Sequence, residues 1–185
     1  ELNHFLEFGI EDRFNVKIPE EQKKSIQAQF QLLLDPIMDI PTGLTHRDFQ
    51  SRNLIYYGYD FFMIDFQDAL QGPPHYDLVA LLRDSYVELP PPTLETLMNY
   101  FWKLRQDRGL ALESQEAFKR NFFLITLQRK LKDTGRFQFI HTVKGNSNFL
   151  KHVPTSLGYI RHAFTQLPEL NHLQSLLSRW VPELQ

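Results

Sequence analysis

Apolar residues recur three and four positions apart over most of this chain, and a different pattern appears in one short stretch. Leu2, Phe5, Leu6 and Phe8 predict a short amphipathic helix over residues 2–14. Pro19 suits a first helical position, and Ile26, Phe30, Leu33 and Leu34 carry the helical spacing from Pro19 to Leu34. Asp35-Pro36 is expected to end that helix, because the residue before a proline disfavours the α region. Residues 44–65 break the pattern. Leu54-Ile55-Tyr56-Tyr57 and Phe61-Phe62-Met63-Ile64, separated by Gly58-Tyr59-Asp60, predict two buried strands joined by a tight turn. Gln71-Gly72-Pro73-Pro74 reads as a loop. Helical patterns then return at about 76–87, 93–108, 114–134 and 169–180, with a weaker piece around 155–165. The breakers between them are Pro90-Pro91-Pro92, Gly109, Gly135, Gly145-Asn146-Ser147-Asn148 and Pro168. The fold class that follows is mainly α with a small β-hairpin near the N-terminal third.

Composition narrows this picture. The 185 residues suit one domain or one lobe of a larger enzyme, and 42% apolar content is enough for a sizeable core. A net charge of −2 without a basic stripe argues against nucleic acid as a partner. No apolar run approaches the ~18 residues that would span a bilayer, so no membrane partner is expected. The start, Glu1-Leu2-Asn3-His4, has no basic segment followed by an apolar one, as a signal peptide would. The absence of Cys excludes disulfides, thiolate metal sites and thiol nucleophiles. It also fits a reducing compartment, and a cytoplasmic location is expected.

The chemistry concentrates at the β insert. His46-Arg47-Asp48-Phe49-Gln50-Ser51-Arg52-Asn53 fits the pattern H-R-D-x-x-x-x-N, and Asp65 follows Asn53 by twelve residues in Ile64-Asp65-Phe66-Gln67-Asp68. Phosphoryl transfer to a hydroxyl needs a carboxylate to orient the hydroxyl and receive its proton. It also needs oxygen ligands that hold Mg²⁺ against the nucleotide phosphates. Asp48 suits the first role; Asn53 and Asp65 suit the second. Asp48 lies before the first predicted strand, Asn53 at its start and Asp65 just past the second, so a hairpin would bring all three to one end. His, Asp and Asn at these spacings would arise by chance in roughly 1% of chains of this length, given average residue usage. Arg47 and the Asp65-Phe66 pair make chance rarer still. The competing reading is a set of loop residues that merely cap turns and helices.

These residues resemble the aminoglycoside phosphotransferase and choline kinase superfamily, which shares its catalytic core with protein kinases. The likeness is closest to a bacterial branch of sugar kinases that phosphorylate the anomeric hydroxyl of N-acetylmuramate and N-acetylglucosamine in cell-wall recycling. It is carried by His46-Arg47-Asp48, Ser51-Arg52-Asn53-Leu54, Asp65-Phe66-Gln67-Asp68-Ala69, Gly72-Pro73, Tyr76-Asp77-Leu78-Val79 and Leu81-Leu82-Arg83-Asp84-Ser85-Tyr86. Gln128-Arg129-Lys130-Leu131-Lys132 ahead of Gly135 extends it. The resemblance implies a protein-kinase-like helical lobe, Asp48 as catalytic base, and Asn53 and Asp65 as Mg²⁺ ligands. It makes Asp77 an anchor bonded to the backbone of the catalytic loop, with His46 as scaffold beside it. It implies ATP or GTP and Mg²⁺ as cofactors, and a small hydroxyl-bearing acceptor, a sugar before others. Gln67, Asp68, Arg83 and Asp84 are candidate acceptor contacts. Asp68 serves equally as a helix cap, and Arg83 and Asp84 equally as a surface ion pair. Tyr76 and Tyr86 either stack on a sugar face or pack.

Two parts of such an enzyme are missing from the pattern. The eight glycines, at 9, 43, 58, 72, 109, 135, 145 and 158, form no G-x-G-x-x-G, and no V-A-I-K-like strand precedes His46. The expectation is a C-terminal catalytic lobe over 1–185, with the nucleotide-covering N-terminal lobe of the same protein outside this chain. Asp77 follows Asp65 by only twelve residues, too few for the activation loop of a protein kinase, and no A-P-E occurs. The remaining alternatives are an aminoglycoside- or choline-type kinase, and a kinase-like binding module that transfers no phosphate.

Overall fold

The structure, a computed structural model, describes residues 1–110 and 113–185. Two compact units divide the chain, one built from Glu1–Met38 with Thr126–Gln185 and one from Asp39–Ile125.

The first unit contains helices and no strand among its described residues. Helix α1 begins at Leu2–His4 and widens into a π-type helix over Phe5–Asp12, which buries Phe5, Leu6 and Ile10. Helix α2, Glu20–Met38, puts Ile26, Phe30 and Leu33 inside. Pro36 does not end it, contrary to the sequence expectation. A proline near the C-terminal end costs one backbone bond, and its fixed φ is itself helical, so Ile37 and Met38 continue the turn. Helix α2 packs on α7, Asn171–Ser178, whose Leu173, Leu176 and Leu177 are buried. Helix α6, Val153–Gln166, predicted only weakly by the pattern, buries Leu157, Ile160, Ala163 and Phe164 along one face.

The longest element is α5, Gln115–Lys144. It runs straight through Gly135, which the sequence suggested as a breaker. A Cβ on Gly135 would sit 2.9 Å from the carbonyl oxygen of His4 and 2.9 Å from Cα of Phe5. Glycine is there because α1 crosses α5 backbone to backbone, which outweighs the ~1 kcal/mol that glycine costs a helix interior. One turn before Gly135, α5 buries Arg129 and Lys130 beside Asp133. The Lys130 ammonium lies 2.9 Å from the Asp133 carboxylate. Burial works to raise the affinity of Asp133 for a proton. The charges of Lys130, Arg129 and Lys132 outweigh it and hold the carboxyl well below the usual carboxylate range.

The second unit holds all four strands found among the described residues. Strands β1 (Gly43–Thr45) and β4 (Leu70–Gly72) pair antiparallel, Leu44 opposite Gln71. Neither was predicted, since three residues are too few to show a period, and Gln71-Gly72 had read as loop. Gly72 leaves space for Thr45, whose hydroxyl donates to the Leu70 carbonyl at 2.9 Å. Strands β2 (Leu54–Tyr57) and β3 (Asp60–Met63) form the expected hairpin, Tyr57 opposite Asp60. Gly58 and Tyr59 both have positive φ, 59° and 71°, as a two-residue type I′ turn requires.

The hairpin is not buried, which corrects the sequence reading. Tyr57 is 77% exposed, Phe61 75% and Tyr56 61%. Tyr56 and Phe61 cover each other on one face, ring centres 5.0 Å apart. Helix α3 (His75–Leu82) follows β4, α4 (Pro91–Asp107) starts on a proline pair, and the beginning of α5 completes the unit. Its core is Leu78, Val79, Leu82, Leu94, Met98, Phe118 and Phe122. Helix α3 stops at Leu82 rather than near residue 87, and Arg83 has left helical geometry with ψ 36°.

Candidate active site

The pairing of β1 with β4 decides where the polar residues meet. The chain leaves β1 at Thr45 straight into His46-Arg47-Asp48, and it leaves β4 at Gly72 toward α3 two residues later. The first turn of α3 therefore lies beside the start of the loop. One oxygen of Asp77 accepts the N–H of His46 at 2.7 Å, and the other accepts the N–H of Arg47 at 2.9 Å. A carboxylate is favoured at this position, where the first-turn N–H groups of a helix give a partial positive charge. His75, the first residue of α3, is fully buried and lies 3.0 Å from the Glu113 carboxylate, which pins that end of the helix. Burial raises Glu113, but hydrogen bonds from His75 and the Asn121 amide, with the nearby charges, hold it below its ordinary range.

The Asp77 bonds hold a strained backbone. Arg47 has φ 72°, a left-handed conformation that costs a non-glycine residue about 1–3 kcal/mol when the surroundings impose it. Asp48 follows the kink and is half-buried. The Arg47 guanidinium reaches back to the carbonyl oxygen of Asp68.

His46 ties the loop to the hairpin. Its Nε2 is 2.9 Å from the Ile64 carbonyl oxygen. A carbonyl can only accept, so Nε2 carries the proton in this contact. The next residue, Asp65, also has a left-handed φ, 70°, and its exposed carboxylate accepts the Gln67 amide at 2.8 Å. Asn53 closes the arrangement from the other strand. Its carbonyl accepts the Ile64 N–H at 3.1 Å, and its side-chain N–H₂ donates to the Asp48 carbonyl at 2.8 Å. Asp48, Asn53 and the residue before Asp65 are thus linked by hydrogen bonds at one end of the hairpin.

The donor set there is one carboxylate, Asp65, and one amide, Asn53. With its N–H₂ committed to Asp48, the oxygen of Asn53 is the atom left to coordinate. No group of three or more acidic or histidine side chains that could hold a metal occurs among the described residues. Two hard oxygen donors match Mg²⁺ that arrives with phosphate ligands and keeps several waters, rather than a cation held by protein alone.

Two candidate acceptor contacts are placed differently from expectation. Asp84 is 1% exposed, and its oxygens accept the N–H and hydroxyl of Ser51 and the N–H of Tyr86. Arg83 is buried as well. Neither lies on the surface, so the surface-pair alternative is excluded, and Asp84 spends its oxygens on the chain itself. Tyr86, a candidate stacking ring, is covered by the Arg52 guanidinium at 3.5 Å. Gln67 and Asp68 remain exposed. The Ser51–Asp84 bond was not foreseen, because nothing in the spacing of 51 and 84 signals it.

This loop-and-hairpin arrangement, set on a helical lobe, is that of kinase-like phosphotransferases. Residues 9–110 match the phosphotransferase enzyme family, APH, and the chain belongs to that family. Three curated bacterial relatives share the name N-acetylmuramate/N-acetylglucosamine kinase. The chain is 32% identical to the protein of Pseudomonas putida over 179 residues, 96% of this chain and 53% of the relative. Against that of Neisseria meningitidis it is 33% identical over 182 residues, 98% and 54%. Against that of Pseudomonas aeruginosa it is 32% identical over 179 residues, 96% and 53%. The chain spans about half the length of the curated relatives it matches.

Replacing Asp77 should strand the His46 and Arg47 N–H groups and release the strained turn. Asp77→Ala is expected to cost about 2–4 kcal/mol of unfolding free energy, from two charge-assisted bonds. Asp77→Asn, which keeps one acceptor oxygen, should cost less. Denaturant unfolding of the whole protein measures both; an Asp77→Ala loss below about 0.5 kcal/mol, within the range of ordinary surface substitutions, would contradict this role.

Proposed function

We propose that the whole protein transfers the γ-phosphoryl group of ATP, or GTP, to a hydroxyl of a small polar acceptor, and that the acceptor is an amino sugar. The observation that carries this is the link from Asp48 through Asn53 to the strand end before Asp65. It brings the residues to which we assign the proton acceptor and the two oxygen donors to one end of a hairpin. The amino-sugar acceptor rests on the shared name of the three relatives. We place the reaction in the cytoplasm, where nucleoside triphosphates are available; no helix among the described residues is long and apolar enough to cross a membrane.

Asp48 orients the acceptor hydroxyl and takes its proton as the oxygen attacks the γ-phosphorus. The bond from phosphorus to the β–γ bridging oxygen breaks, and the nucleoside diphosphate leaves. Asn53 and Asp65 would hold Mg²⁺, which when bound neutralises charge on the phosphate oxygens. Gln67 keeps the Asp65 carboxylate in place, and the exposed Asp68 would accept a hydrogen bond from an acceptor hydroxyl. His46 and Asp77 hold the loop.

The nucleotide-covering part lies in the remainder of the whole protein, in a lobe N-terminal to this chain. It packs against the β2–β3 hairpin. Supporting this is the apolar surface left open there: Tyr57, Phe61 and Phe62 on the hairpin, with Leu44 and Phe66 beside an apolar cavity of about 370 Å³ that Phe49 and Met63 also line. Exposed apolar side chains concentrated on one short element, on both its faces, favour an interaction site over ordinary surface.

Two measurements on the whole protein test these readings. Asp48→Asn should lower phosphate transfer to N-acetylmuramate or N-acetylglucosamine at least 10³-fold, because the general base and its orienting charge are both lost. Near-wild-type transfer by that variant, or a clear preference for a protein serine, would overturn the assignment. Single cysteines introduced at Tyr57 and Phe61 should react with a maleimide at least tenfold more slowly than one at Tyr100, an exposed α4 position. Equal rates in the folded protein would show that nothing covers the hairpin.

A further inference from the structure

We infer that Asp84 is a positioning residue that fixes the metal-binding half of the catalytic loop, acting through Ser51; the inference rests on the phosphotransfer reading above. Asp77 bonds only the first two residues of the loop, His46 and Arg47. The second half, Ser51–Asn53, is a single 3₁₀ turn without a side-chain cap of its own. It is held from outside. One oxygen of Asp84 accepts the Ser51 N–H at 2.8 Å and the Ser51 hydroxyl at 2.5 Å. The other accepts the Tyr86 N–H at 2.9 Å, which aims the carboxylate. Arg52, the next residue of the turn, stacks on Tyr86 at 3.5 Å. Residues 84–86 therefore grip residues 51 and 52, and Asn53 follows immediately.

The geometry explains why α3 ends where it does. The chain leaves helical geometry at Arg83, so Asp84 does not continue the helix and instead faces the loop. At 1% exposure Asp84 is not open to an acceptor, and a carboxylate bonded to an N–H and a hydroxyl in a shielded site is a stiff tether. Its effect reaches the reaction through Asn53, whose side chain is bonded to the Asp48 carbonyl. Loosening Ser51 frees the residue that presents an oxygen to Mg²⁺ and also supports the base. Acceptor affinity does not depend on it directly.

Steady-state kinetics and hydrogen exchange of the whole protein test the inference, with Asp84→Asn, Asp84→Ala, Ser51→Ala and the Asp84→Ala/Ser51→Ala double variant. Asp84→Ala should lower kcat at least 30-fold and raise the Mg²⁺ concentration for half-maximal rate at least fivefold, while acceptor KM stays within threefold. Ser51→Ala should shift the same two quantities in the same direction by less, and the double variant should be no worse than Asp84→Ala, as expected for groups acting in series. The Ser51 amide should exchange at least tenfold faster in Asp84→Ala, with the His46 and Arg47 amides still protected. If Asp84→Ala does not fold, Asp84→Asn and Ser51→Ala carry the test. A tenfold rise in acceptor KM with kcat kept would make Asp84 an acceptor contact and overturn the inference. So would unchanged kcat, Mg²⁺ dependence and Ser51 exchange. Absence of any transfer by the wild-type protein would instead defeat the phosphotransfer reading, and the exchange data would still decide whether Asp84 holds the turn.

Discussion

Everything at this site depends on one carboxylate bonded to two consecutive backbone N–H groups. Asp77 takes the N–H of His46 and of Arg47, and between them the chain turns through a left-handed residue that a non-glycine side chain disfavours. Without that pair of bonds the strain at Arg47 would relax, and Asp48 would lose its defined direction. The bonds are possible because β1 and β4 pair, which sets the first turn of α3 against the loop. They are strong because a charged acceptor meets N–H donors where solvent is partly excluded. A few short elements thus do what a long loop could not do alone. They hold Asp48, the proposed proton acceptor, in a fixed place on a short loop.

The same local economy shows in the hairpin. Four residues on each side of a type I′ turn cannot make a core of their own. They carry rings and aliphatic side chains that remain exposed, and their ladder serves mainly to bring Asn53 opposite Ile64, with Asp65 next. Strain recurs at Asp65, whose left-handed backbone is held by its Gln67 contact and by the His46 bond to Ile64 just before it. Strained backbone at Arg47 and Asp65, each next to a polar group that chemistry would use, is the distribution expected where folding stability is spent on positioning.

The sequence made part of this legible. The spacing of Asp48, Asn53 and Asp65 could be read because three side chains with distinct chemistry sat at fixed offsets around two apolar runs. The hairpin itself was readable from Gly58 and its flanking runs. Its exposure was not, because an apolar run signals burial without saying by what. Strands β1 and β4 escaped because three residues show no period and their pairing partner lies 25 or more residues away. Gly135 misled because glycine marks both helix ends and close helix crossings, and only the neighbouring backbone of His4 and Phe5 tells them apart. Pro36 misled because the rule for proline applies to helix interiors, while Pro36 sits in a last turn. Asp84 read as an acceptor contact or as half of a surface ion pair, since a charged residue is seldom fully buried; its partner Ser51 is 33 residues away and carries no sequence signal.

The claim that joins these parts is that Asn53 and Asp65 form the metal-binding edge of a nucleotide site. Calorimetric titration of the whole protein with ATP, with and without Mg²⁺, tests it directly. In the wild-type protein Mg²⁺ should tighten nucleotide binding at least tenfold. In Asp65→Ala that gain should vanish, while affinity for metal-free ATP stays within about threefold. An Asp65→Ala protein that keeps the full gain from Mg²⁺ would contradict the account.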